Sequence, residues 1–184
     1  APGAGTQRMR DVINKNVQEE ELLRACANAF ECGKNQVKLY FMDGLPTETR
    51  EDVEGIAKLA KTVVDSYYSN PNVKRGKSPQ VTISVACFIP KPFTPFQWEA
   101  QDTIEMLEEK QHWLREAITD RKIRYTWHDA RVSRIEAVFA RGDRRLSAAL
   151  LEAHRRGRRF DAWDEYFDYD EWLDIFASVG IDPA

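Results

Sequence analysis

The stretch QVKLYFMDGLPTETREDVEGIAKLAKTVVDSYY, residues 36–68, decides the fold. Residues 36–42 are a short apolar and aromatic run that predicts a buried strand. Gly44 and Pro46 then punctuate the chain. From Thr49 the period changes. Val53, Ile56, Ala60, Val63, Val64 and Tyr67 recur at helical spacing, and Thr49 with Asp52 three residues on forms a capping signal. A buried strand, a turn and a long amphipathic helix are the first half of a βαβ unit.

The same alternation extends in both directions. Upstream, Leu22, Leu23, Cys26, Ala29 and Phe30 share one face of a helix that ends at Gly33. Downstream, residues 81–89 (VTISVACFI) predict a strand apolar on both faces, as in a parallel sheet. Prolines at 90, 92 and 95 end it. Residues 98–118 read as a helix with Ile104, Leu107, Leu114 and Ile118 along one stripe, and residues 122–129 as a third strand. Beyond these the chain reads as helical to its end, broken near Gly142, Gly157 and Gly180. The order implies parallel strands joined by right-handed crossovers, with a domain boundary near 129–131: residues 1–129 are α/β and 130–184 a helical extension.

The 184 residues, 42% hydrophobic and 31% charged, suffice for a packed core. A net charge of -3 gives no general attraction to nucleic acid or to an anionic membrane. No apolar run approaches the roughly 18 residues of a membrane span. Cys26, Cys32 and Cys87 are odd in number and irregularly spaced, which reads as free thiols in a cytoplasmic protein. Residues 141–159 carry seven Arg, and residues 161–182 carry eight acids without a base. Pairing between these two segments is one reading; an Arg patch for a phosphate-bearing partner is the other.

Three unusual stretches each follow a predicted strand: 43–49 (DGLPTET), 90–98 (PKPFTPFQW) and 127–131 (WHDAR). In parallel α/β folds the C-terminal strand ends form the ligand-binding rim. The opening APGAGTQR fits neither the dinucleotide fingerprint nor the P-loop, because Arg8 stands where the third glycine belongs and no Gly-Lys-Ser/Thr follows. No His/Cys/Asp grouping has zinc or iron spacing. His128 with Asp129 is the one pair placed for proton transfer, and it serves equally well as a cap for the next helix. Trp163, Tyr166, Phe167, Tyr169 and Trp172 either pack a small core or anchor an interface.

The segments APGAGTQRMRDVINKNV, VKLYFMDGLPTETREDVEGI and VTISVACFIPKPFTPFQW together resemble the second half of a radical S-adenosylmethionine domain. The resemblance is to uncharacterised members with an N-terminal cobalamin-binding-like domain, and the tail from WHDARVSRIEAVFARGDRRL onward resembles their extension. It implies a partial (βα) barrel, namely the C-terminal half of the barrel, as a fragment of a longer enzyme. The missing N-terminal half would carry the Cys-x-x-x-Cys-x-x-Cys motif for a [4Fe–4S] cluster. The complete protein would cleave S-adenosylmethionine to a 5′-deoxyadenosyl radical, on a substrate the sequence does not name, with cobalamin an open question.

The resemblance places Thr6, Gln7 and Arg8 near the ribose or carboxylate of the cofactor. It puts Gly44 and Pro46 in a turn beneath it, Phe88, Ile89 and Pro90 at the adenine edge, and Thr94 and Gln97 at the pocket mouth. Gly3 departs from the family's Glu, which removes a carboxylate from that site. A non-catalytic interaction or RNA-binding role for the tail is the alternative from another class.

Overall fold

The computed structural model describes residues 1–74, 76–163 and 165–183. Arg75, Asp164 in the acidic segment and Ala184 lie outside the described residues. The chain divides into two compact units, Ala1–Phe88 with Glu105–His128, and Ile89–Ile104 with Asp129–Ala184. The proline-rich stretch after the second strand thus groups with the later helices.

In the first unit, β1 (Gln36–Asp43), β2 (Gln80–Cys87) and β3 (Ile123–Trp127) form one sheet in the order β1-β2-β3. Both pairings are parallel, with Leu39 opposite Ile83 and Ile83 opposite Tyr125. The α/β class and the parallel, chain-ordered strands expected from the alternation are therefore present. Gly3 extends the sheet beyond β1 through a parallel bridge to Phe41: its N–H donates to the Tyr40 carbonyl at 3.1 Å and its own carbonyl accepts from Met42 at 2.9 Å.

One face of this sheet is buried. Leu39, Phe41, Val81, Ile83, Val85 and Ile123 pack with Cys26 and Phe30 of α2 (Glu19–Glu31), the Val53–Val64 stripe of α3 (Arg50–Ser69) and Leu114 of α4 (Ile104–Ala117). The Thr49 cap on α3 is present as a capping box with Asp52. The opposite face carries Lys38, Tyr40, Thr82, Ser84, Arg124 and Thr126, all partly or fully exposed. The β2 strand is therefore apolar on one face only, because Thr82, Ser84 and Ala86 alternate with its buried valines and isoleucine.

Several boundaries differ from the sequence reading: the second strand ends at Cys87 rather than at 89, and the third at Trp127 rather than at 129. The helix expected over 98–118 begins at Ile104, because residues 94–99 close hydrogen-bonded turns, Gln97 to Thr94 and Glu99 to Phe96. The opening segment holds a short helix, α1 (Gln7–Val12), whose N-cap Thr6 accepts from the Met9 amide.

In the second unit, α5 (Ala130–Arg141), α6 (Leu146–Arg155) and α7 (Tyr169–Ser178) enclose a small core of Ile135, Leu146, Ala149, Trp172, Ile175 and Phe176. Trp172 is thus a packing residue, whereas Trp163 and Tyr166 remain exposed. The described residues between 156 and 168 are not helical: Gly157, at φ +82°, ends α6, and Asp168 caps α7 through the Glu171 amide. The basic and acidic segments meet at Arg158, which pairs with both Asp161 and Glu171, while Arg155 and Arg156 pair with Glu152 inside α6.

Candidate functional site

The C-terminal ends of β1 and β2 bring Asp43 and Cys87 into register. Asp43 ends an otherwise apolar strand and is 1% exposed. The chain then turns at Gly44, φ +73°, a conformation that suits glycine. The turn folds Glu48 back so that its carboxylate accepts from the Gly44 amide at 2.8 Å. The same oxygen accepts from Lys110 Nζ at 3.0 Å, and the pair is nearly dry, with side chains 2% and 9% exposed. One residue on, Gln111 donates to the His128 carbonyl at 3.0 Å and to Cys87 Sγ at 3.4 Å.

This is a polar cluster inside a protein core, and its electrostatics follow from burial. Desolvation, then repulsion from Glu48, pushes the Asp43 carboxyl up to about 7; the Cys87 thiol, Lys110 and Gln111 pull the other way. Both Asp43 oxygens are buried, and the Cys87 thiol and the Gln111 side chain are the hydrogen-bonding groups nearest to hand. The Tyr125 hydroxyl is buried without a hydrogen-bond partner, and burial followed by the Asp43 charge pushes its pKa well above the ordinary phenol value. Near neutral pH the Asp43 carboxyl is therefore divided between its protonated and ionised forms, beside the Glu48–Lys110 pair. It can take up or release a proton over the physiological range.

Sequence reasoning missed Asp43, Glu48, Lys110, Gln111, Cys87 and Tyr125 as a group. A signal was there for two of them. Lys110 and Gln111 sit between Leu107 and Leu114 on the buried stripe of α4, where a charged residue is out of place unless paired.

The residues expected to hold a cofactor are placed as follows. Thr6 donates to Asp52 at 2.5 Å, and Arg8 forms a short ion pair with the same carboxylate. Burial opposes ionisation of Asp52, but the hydrogen bonds from Arg8, Thr6 and Thr49 outweigh it and hold the group at about 2. Gln7 bonds Asp11 and Arg10. Gly5 touches α3 so closely that a Cβ would lie 2.4 Å from the Asp52 carbonyl and the Ile56 nitrogen. The opening glycine at position 5 is thus a helix-packing residue. Gly3 has φ +80°, and a Cβ there would approach Ile13 Cδ1 to 3.1 Å, so a Glu at this position would be strained.

Pro46 is half-buried in the turn after β1. Phe88 is buried, and its amide is taken by the Asp43 carbonyl at 2.7 Å rather than free for a ligand. Ile89, Pro90, Thr94 and Gln97 belong to the second unit, where Gln97 accepts from the Phe93 amide at 3.2 Å and Thr94 donates to the Lys91 carbonyl at 2.6 Å. His128 is exposed at the end of the third strand. Asp129 caps α5, accepting from Arg131 and Val132.

Among the described residues no three His, Cys, Asp or Glu side chains are grouped to hold a metal ion. Cys26 lies on α2, Cys32 at its C-terminal cap and Cys87 on β2.

The chain is 31% identical, over 185 aligned positions covering 95% of its length, to an uncharacterised protein of Methanocaldococcus jannaschii, MJ0966. It spans 39% of the length of that relative. No family model and no solved structure matches the chain. None of the described helices is long and apolar enough to cross a membrane.

Proposed function

We propose that this chain is the C-terminal half of a radical S-adenosylmethionine barrel with its helical extension, part of a longer cytoplasmic enzyme. The observation that carries the reading is the parallel bridge from Gly3 to Phe41. It sets the PGAGTQR segment beside the DGLP turn at the same end of the sheet, where an (βα) barrel binds its ligand. The greater length of the archaeal relative supports a parent with a further segment to complete the sheet. The half-exposed polar face of the sheet would then line the barrel interior.

When bound in the complete protein, the cluster and S-adenosylmethionine supply the reductive cleavage chemistry. The cluster ligands are assigned to the rest of the parent. The part played by this chain is support: Asp52 fixes Thr6 and Arg8 against α3, and the Glu48–Lys110 pair fixes the turn carrying Gly44 and Pro46. The Asp43 carboxyl takes up or releases a proton beneath that turn.

The test is anaerobic reconstitution of the complete parent with iron and sulfide, followed by reduction with S-adenosylmethionine. Formation of 5′-deoxyadenosine is expected. A reconstituted, reducible parent that leaves S-adenosylmethionine intact would sink the reading. An RNA-binding or interaction role for the tail draws on exposed Phe160, Trp163 and Tyr166. Arg158, held by two carboxylates in the same region, weighs against RNA.

A further inference from the structure

The second unit contains a cavity of about 1120 Å³ that plays no part in the radical chemistry proposed above. Its wall includes Trp98, Arg134, Arg141, Arg145 and Asp182. Arg145 is already neutralised, since its Nε donates to both Asp143 oxygens at 2.9 and 3.0 Å. Arg134 and Arg141 differ. Each gives one guanidinium hydrogen bond to a main-chain carbonyl, Arg134 to Pro183 at 3.1 Å and Arg141 to Glu99 at 2.9 Å. Neither is paired with a carboxylate among the described residues. The two stand seven residues apart on α5, about two turns, and so share one face. A carbonyl clasp fixes the position of a guanidinium and leaves its charge and remaining donors unmatched, which is the preorganised form of an acid-binding group.

Trp98 adds a ring. It is 85% exposed, so its indole is open for stacking. Glu99 and Asp182 also line the wall and add negative charge to it. A highly charged occupant is thereby disfavoured. The volume suits a small organic molecule rather than a bare ion. We infer that this cavity binds an aromatic-ring-bearing anion of low charge, with its acid group on Arg134 and Arg141 and its ring on Trp98. The chemical class is that of a nucleoside monophosphate or an aromatic carboxylate, and it is independent of the S-adenosylmethionine reading.

Adenosine 5′-monophosphate is the probe, titrated calorimetrically into the full chain, with adenosine, inorganic phosphate and ATP as comparators. Saturable binding below about 1 mM is expected for the monophosphate, with each comparator weaker by about ten-fold or more. Arg134→Met and Arg141→Met each weaken it about ten-fold or more, and Arg141→Lys less. Both arginines also clasp loops, so Trp98→Leu serves as a second variant: at an exposed position it leaves folding intact and is expected to weaken binding about five-fold or more. The inference is overturned by any of four results: no saturable heat for the monophosphate, equal affinity for adenosine, tighter binding of ATP, or an affinity unchanged in Trp98→Leu.

Discussion

Glu48 and Lys110 form a buried ion pair that ties the turn after β1 to the middle of α4, 62 residues away in sequence. The Glu48 oxygen also receives the Gly44 amide, so the pair fixes the backbone at the end of the strand. Its worth lies in position rather than in net stability, because two buried charges repay their desolvation only when both are present.

Lys110→Met therefore leaves Glu48 as an uncompensated buried charge, and roughly 3–5 kcal/mol of stability should be lost. The double variant Lys110→Met/Glu48→Gln removes that charge and should recover more than half of the loss. Urea unfolding of the three proteins checks this. A double variant no more stable than Lys110→Met would show that the pair acts through something other than charge.

Asp43 gives the basic limb of a pH profile. Its folded value of about 7 lies above the unfolded value, so its contribution is fully present below about pH 4 and is lost as pH rises through 7. Asp43→Asn mimics the protonated acid. At pH 8 it should be more stable than the parent chain by roughly 2–4 kcal/mol, with little difference near pH 4. Denaturation at the two pH values decides it.

Asp52 gives the acidic limb. Held at about 2, it contributes stability above the ordinary carboxylate range that is lost as pH falls from about 4 toward 2. Asp52→Asn should cost about 2 kcal/mol at pH 6 and flatten the profile below pH 4. An unaltered acid transition would show that Arg8 and Thr6 do not depend on this carboxylate.

Gly5→Ala places a methyl group against the α3 backbone at Asp52 and Ile56. The opening segment should lift from α3, at about 1–3 kcal/mol. Hydrogen exchange should quicken in α1 while the amides of β1 and β2 keep their protection. Equal exchange in both chains would show that α3 yields instead.

The isolated chain should take up no stoichiometric [4Fe–4S] cluster on anaerobic reconstitution. Alkylation should reach the exposed Cys32 before the buried Cys26 and Cys87. Cluster absorbance that disappears with Cys26→Ala or Cys32→Ala would reassign the cluster to this chain.

The order of strands and helices was legible in residues 36–68 because it rests on local periodicity. The apolar run of residues 36–42 and the helical stripe from Val53 to Tyr67 are properties of the chain itself. So was the cap at Thr49, which needs only its neighbour three residues on. The helix near Thr6 and the start of α4 were less legible, since a short helix carries too few periodic residues, and turns at 94–99 displace one end. Tertiary structure alone decided the rest. The partners of Lys110 and Gln111 were set by the crossover from β2 through α4, which buries them beside Glu48 and Cys87. The state of Asp43 was likewise set by what the fold packs around it: an acid in sequence becomes a group that titrates near neutrality only when water is removed and another carboxylate is brought near.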